Sequence, residues 1–159
     1  MTKISFEQLR AILIDNAIAF EIMDHAPVFT MEDVVRELDI PENEMAKTLL
    51  MVISGKGLCR VVIPGMAHLN LKKLAEVLSV TRKDIQLASK ESVEEAGFTI
   101  GAIPPFGAEI PTYIDDSFLK QDILYCGAGD NSKTFSLKPK DVITLTKAFV
   151  VQITEQPHN

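Results

Sequence analysis

Apolar residues in this chain fall into short segments of two kinds. In some, such as 71–78, they are spaced as on one face of a helix. In others, such as 49–54 and 58–63 around Gly55-Lys56-Gly57, they form runs typical of a β-hairpin. Caps and breaks then predict helices near 6–17, 31–38, 71–78, 90–96 and 139–145, and further strands near 20–23, 111–114, 123–126, 134–137 and 148–153. Short strands mixed irregularly with short helices are typical of an α+β domain with a curved mixed sheet.

Length and hydropathy favour one globular domain over residues 1–159. The chain is 47% hydrophobic, enough for a sizeable core, and shows no repeat or low-complexity linker. Its longest apolar runs are far shorter than a membrane span, and residues 1–10 lack the apolar centre of a signal peptide. We therefore expect a cytoplasmic protein with no membrane partner.

Charge and metal-binding residue types narrow the function classes further. The formal net charge of −6 argues against a general polyanion binder such as a DNA-binding protein, but it leaves room for a tRNA held only at its tip. Cys59 and Cys126 are isolated and predict reduced core residues rather than a disulfide. The histidines, His25, His68 and His158, show no zinc-ligand spacing. We expect neither a metal nor another cofactor.

Two short motifs could carry chemistry. Lys47 stands at the mouth of an apolar segment, where an ammonium can bind an anion or polarise a carbonyl, although such a lysine is more often a solvated strand end. Farther on, Gly101 and Pro105 enclose a rigid Gly/Pro loop. Glycine lets the backbone approach a ligand and proline fixes the turn, with Ile103 and Phe106 expected to shape the pocket. The alternative is an ordinary loop between strands.

Taken in this order, Lys47 and Gly101-x-x-x-Pro105 resemble the YbaK/ProX family of aminoacyl-tRNA deacylases, which includes the editing domain inserted in bacterial prolyl-tRNA synthetases. The resemblance runs from about residue 25 to residue 151. It implies a barrel-like mixed sheet flanked by helices, an essential lysine at Lys47 and a substrate-binding loop at 101–105.

The resemblance also marks three further positions. His25 looks like a family histidine near the first strand, and it could be a general base or could cap a turn. Gly127 falls in a small-residue segment that the family uses as a pocket wall. The alanine-editing type pairs its lysine with an asparagine and places a histidine on this wall, whereas Thr48 and Gly127 stand here. The resemblance therefore extends to a deacylase but not to the alanine-specific type.

The function implied is trans-editing by a free-standing enzyme. It would hydrolyse the ester of a mischarged tRNA, with tRNA(Pro) carrying a small amino acid such as cysteine as the expected substrate. Water or a group of the substrate would attack, while the protein positions the ester. The expected partners are the tRNA acceptor end and prolyl-tRNA synthetase. The alternative is a non-catalytic module of the same fold that binds a ligand or a synthetase.

Overall fold

The computed structural model describes residues 3–155. Its helices are α1 (Phe6–Asp15), α2 (Met31–Glu37), α3 (Leu71–Leu78), α4 (Lys90–Glu95) and α5 (Pro139–Thr146). Its strands are β1 (Glu21–Asp24), β2 (Ala46–Ile53), β3 (Gly57–Pro64), β4 (Ile85–Leu87), β5 (Thr112–Asp115), β6 (Leu124–Gly127), β7 (Lys133–Leu137) and β8 (Phe149–Val151). Single 3-10 turns occupy Glu42–Glu44, Arg82–Asp84 and Asp116–Lys120.

Polar caps define where the helices begin. The Ser5 hydroxyl accepts from the amide of Gln8, and the Gln8 side chain accepts from the amide of Ser5. These reciprocal bonds satisfy amides that have no partner inside the helix. Thr30 and Asp33 repeat the arrangement at α2. Pro139 occupies the first turn of α5, where its missing amide costs nothing.

The strands form two sheets. One is antiparallel, in the order β1-β7-β6. The other has the order β4-β2-β3-β5-β8, with β2 antiparallel to both β3 and β4, and with β3, β5 and β8 parallel. This mixture of sheets and helices confirms the predicted α+β class.

The sheets do not close into the barrel that the resemblance implied. Where β2 meets β6, the described residues make one isolated parallel bridge, from Met45, just before β2, to Tyr125 on β6. Since no ladder continues from this bridge, the two strands leave an open seam between the sheets. The seam positions the candidate site.

Alternation along the strands separates core from seam. On the antiparallel sheet, Cys126 and Phe135 face a core shared with α1, so Gly127 and Thr134 face the opposite side. The larger sheet packs a second core against α3. A third, smaller core surrounds Phe98.

The structure differs from the predicted elements in several places, and the last strand, β8, is shorter than the predicted 148–153. β2 begins at Ala46 rather than Leu49, so Lys47 lies within the strand instead of before it. Ala17 falls outside α1 in a left-handed conformation with φ of 55°. β4 was not predicted, because only one of its three residues is buried and it shows no pattern. Among the described residues, no helix is long and apolar enough to cross a membrane.

Candidate functional site

A cavity of about 260 Å³ occupies the seam between the two sheets. Three parts of the chain surround it: the segment 28–40 that contains α2, the start of β2, and the loop after α4 together with β6 and β7. Its lining comprises Val28, Phe29, Thr30, Met31, Val34, Leu38, Ile40, Met45, Ala46, Lys47, Thr48, Gly101, Ala102, Ile103, Tyr125, Cys126, Gly127, Asp130, Lys133 and Thr134. The cavity is thus mainly apolar, with a few polar groups at its margins.

Lys47 is half-buried at this cavity. Its Nζ donates to the carbonyl oxygen of Ala67 at 3.3 Å, which holds the side chain across the start of β2. Burial lowers the pKa of Lys47, and the negative charge of Glu32 on α2 partly opposes that shift. Its ammonium is therefore less completely solvated than that of a surface lysine.

Thr48, the next residue along β2, also lines the cavity. Its hydroxyl oxygen is buried and has no hydrogen-bond partner within residues 3–155. A buried hydroxyl without a partner costs free energy, so this position is not simply optimised for stability.

Gly101 allows two segments to meet at the cavity. Its φ of +83° is left-handed, and a Cβ added there would lie 2.8 Å from the Cα of Phe29 and 2.9 Å from its carbonyl oxygen. The side-chain amide of Asn131 joins the same segments, because its Nδ2 donates to the carbonyls of Val28 and Ile100, both at 2.8 Å. A larger residue at 101 would push this wall apart.

Gly127 performs a similar role on β6. A Cβ there would lie 2.6 Å from the carbonyl oxygen of Ile103 and 2.9 Å from the carbonyl carbon of Ala102. The amide of Gly129 donates to the Ala102 carbonyl at 3.0 Å. Small residues on β6 therefore let the loop backbone lie against the sheet beside the cavity.

Pro105 and Phe106 lie away from the cavity. Both are buried, and Phe106 is fully enclosed in the core, with its ring centroid 6.0 Å from that of Phe135. The 101–107 loop turns inward after Ile103, so Ile103 reaches the cavity and Phe106 does not. Of the two side chains expected to shape the pocket, the structure therefore places only Ile103 at the cavity.

Arg60, which sequence reasoning did not single out, holds the inward half of this loop. It is 1% exposed and donates to the carbonyls of Pro104 at 3.3 Å and Gly107 at 2.8 Å, and to the hydroxyl of Thr112 at 3.1 Å. Burial lowers the pKa of Arg60 to about 10. The sequence signal that could have indicated this role is an arginine inside the apolar run 58–63, because a buried cation needs specific acceptors.

His25 contacts the cavity lining without belonging to it. Its Nε2 lies 2.8 Å from the hydroxyl of Thr134, a lining residue on β7, and its Nδ1 lies 2.8 Å from the carbonyl oxygen of Ala26. Of the other histidines, His68 is absent from the lining and His158 lies outside the described residues.

Several lining residues carry charge or chemistry that the motifs did not reveal. Asp130 accepts from the amide and hydroxyl of Ser132, and these bonds lower its pKa. Lys133 pairs with Asp24. The Cys126 thiol is enclosed, and burial raises its pKa, which disfavours a thiolate. Within residues 3–155, no three His, Cys, Asp or Glu side chains group closely enough to hold a metal ion.

Comparisons with known proteins agree on one family. The family model described as the aminoacyl-tRNA editing domain matches residues 25–145. A curated relative from Enterococcus faecalis, named "Putative Cys-tRNA(Pro)/Cys-tRNA(Cys) deacylase EbsC", is 30% identical over 125 residues, covering 77% of this chain and 76% of that protein.

Longer relatives and a solved structure extend the match. A proline–tRNA ligase from Persephonella marina is 30% identical over 132 residues, and one from Sulfurihydrogenibium sp. is 33% identical over 101 residues. The chain covers only 23% and 18% of those two proteins. The crystal structure of "a putative trans-editing enzyme for prolyl tRNA synthetase" has the same fold, with a TM-score of 0.83 at 22% identity over 98% of this chain and 100% of that chain. The chain therefore belongs to the aminoacyl-tRNA editing domain family.

Proposed function

We propose that this protein is a trans-editing aminoacyl-tRNA deacylase. It hydrolyses the ester that joins a small amino acid, such as cysteine, to the terminal adenosine of tRNA(Pro), and it does so in the cytoplasm beside prolyl-tRNA synthetase. The observation that carries the proposal is the position of Lys47 at a mainly apolar cavity walled by the backbone of 101–103. Membership of the editing family supports the reaction class.

The geometry suits ester hydrolysis because several residues that line the cavity carry hydrogen-bond donors. Lys47 supplies a cation at the cavity, where an ester carbonyl gains negative charge during attack. Within the described chain, the backbone amides of Gly101 and Ile103 donate to no backbone carbonyl, which leaves two further donors on lining residues. An aminoacyl ester is already activated, so orientation and carbonyl polarisation suffice for its hydrolysis.

The cavity supports a preference for small amino acids. Its volume is about 260 Å³, and Gly127 lets the backbone of Ala102 and Ile103 lie against β6 on one side. One methylene contributes only about 1–3 kcal/mol to discrimination, so we expect partial selectivity that tRNA recognition or the synthetase completes.

A deacylation panel tests the proposal. tRNA(Pro) charged with cysteine, serine, alanine, leucine or proline is incubated with the protein, and release of the labelled amino acid is followed. We expect turnover of the small non-cognate esters and little of the leucyl or prolyl ester. Binding of the charged tRNAs without release would identify a non-catalytic module instead. Equal rates on all five esters would contradict the size preference.

A further inference from the structure

The His25–Thr134 pair connects the cavity with a histidine that lies behind its wall. Thr134 is 6% exposed and lines the cavity, whereas His25 is half-buried and reaches it only through the Thr134 hydroxyl. The two residues are far apart in sequence, and antiparallel pairing of β1 with β7 brings them together. Nothing in the motifs of the chain indicates this contact.

The partners of His25 determine where its proton lies. The carbonyl oxygen of Ala26 can only accept, so Nδ1 at 2.8 Å from it carries the hydrogen. In the neutral ring Nε2 is then an acceptor, and the Thr134 hydroxyl at 2.8 Å donates to it. The oxygen of Thr134 keeps lone pairs that can accept from a group in the cavity.

The surrounding backbone holds this arrangement in place. The amide of His25 donates to the carbonyl of Ser132 at 2.9 Å, and the amide of Val28 donates to that of Asn131 at 2.9 Å. Across the sheet, Thr134 is paired with Gly127, which has no side chain to cover the hydroxyl. Backbone hydrogen bonds therefore hold the segment of His25 in place, and the neighbouring residue on β6 leaves the Thr134 hydroxyl uncovered.

We propose that Thr134 and His25 form a proton relay for deacylation, which rests on the proposed function. As a water molecule attacks the ester carbonyl carbon, its proton passes to the oxygen of Thr134 while the Thr134 hydroxyl proton passes to Nε2 of His25. When the bond between the carbonyl carbon and the ribose oxygen breaks, that oxygen receives the proton back through Thr134. The products are the free amino acid and a tRNA with its terminal hydroxyl restored. Thr134 is the residue that touches the reacting water, and His25 acts through it.

Charged neighbours support a protonated intermediate on His25. The Asp130 carboxylate, at the turn before β7, interacts favourably with a positive imidazole. Lys133 on β7 is paired with Asp24 on β1, which reduces its repulsion of the ring. The charges of Asp130 and of the Lys133–Asp24 pair are thus the ones that a positive ring would meet on this side.

Single-turnover and steady-state deacylation of cysteinyl-tRNA(Pro) test the relay in four variants. His25→Gln keeps a hydrogen-bond acceptor for Thr134 but no basic nitrogen, and Thr134→Val removes the hydroxyl while preserving shape. Each should lower kcat about 100-fold with little change in KM, the usual contribution of a positioned acid–base group. Thr134→Ser should restore most of the activity. The double variant should be no slower than either single one, because both changes break the same relay.

The separation of kcat from KM and the rescue by Thr134→Ser distinguish the relay from a structural contact. Melting temperatures should show that all variants are folded. Retention of activity in folded His25→Gln, or additive losses in the double variant, would overturn the relay while leaving the deacylase assignment intact. Failure of the wild-type protein on the whole ester panel would instead count against the proposed function itself.

Discussion

The two halves of the 101–107 loop meet different surroundings, although they are continuous in sequence. The first half, Gly101 to Ile103, lies at the cavity and contacts Phe29 and the strand that bears Gly127. The second half is buried, where Arg60 binds two of its carbonyls and Phe106 fills the core. The comparison shows how one rigid loop can present backbone to a ligand while being fixed from the opposite side. Changes in the first half should alter activity, and changes in the second half should alter stability.

Phe106→Ala should give the largest effect, which we expect on stability rather than on activity. Removing a fully buried phenylalanine leaves a cavity in the core and should lower the free energy of unfolding by about 3–5 kcal/mol. Chemical denaturation measures the loss, and Phe149→Ala, at a 59% exposed aromatic residue, is the control. The specific activity of the folded fraction should stay near wild type. An equally large loss of activity per folded molecule would place Phe106 in the site after all.

Gly101→Ala should lower activity far more than the matched glycine variant does. The new Cβ would collide with the backbone of Phe29 and disturb the cavity wall, so kcat/KM should fall about 100-fold. Gly55→Ala is a matched control, because Gly55 has a similar φ of +78° but nothing within 4 Å of the added atom. Both variants carry the cost of a left-handed alanine, about 1–2 kcal/mol. Equal activity in the two variants would reduce Gly101 to a structural glycine.

Arg60→Met tests whether the buried half positions the exposed half. It removes the donors to Pro104 and Gly107, so the loop should lose its fixed position and KM should rise about 10-fold. Stability should change less than in Phe106→Ala, because removing a desolvated charge offsets part of the lost hydrogen bonding. Arg60→Lys should recover part of the affinity. If KM does not change in a folded Arg60→Met protein, the two halves are independent.

Glu32→Gln should have the smallest effect, visible only in alkaline solution. The Glu32 carboxylate raises the pKa of Lys47 against the lowering by burial. Without it the ammonium loses its proton at lower pH, so the alkaline decline of kcat/KM should begin earlier. Glu37→Gln, on the same helix, is the control. The alkaline decline of kcat/KM should shift to lower pH in Glu32→Gln and stay in place in Glu37→Gln. A shift to higher pH in Glu32→Gln would contradict a role for the Lys47 ammonium.

Local patterns predicted much of this fold, because local interactions determine it. The bounds of α3 follow from a clear helical period and the Asn70 cap. The hairpin of β2 and β3 follows from two apolar runs around a glycine turn. β4 could not be predicted from its three residues, since its pairing with β2 depends on tertiary packing.

The site was only partly predictable for a related reason. The resemblance identified Lys47, Gly101 and Gly127, and the structure brings these to one cavity. A Gly/Pro loop has no periodicity, so nothing local indicates that Ile103 turns outward and Phe106 inward. His25 and Thr134 are 109 positions apart in sequence, and their contact depends on the pairing of β1 with β7.

The central claim is that Lys47 at the seam cavity is required for deacylation. Lys47→Ala and Lys56→Ala provide the comparison, since each lysine donates to a backbone carbonyl but only Lys47 lines the cavity. The measurement is the single-turnover rate of cysteinyl-tRNA(Pro) hydrolysis, with melting temperature as a check on folding. We expect a loss of at least about 100-fold for Lys47→Ala and a near wild-type rate for Lys56→Ala. Near wild-type hydrolysis by folded Lys47→Ala would contradict the account.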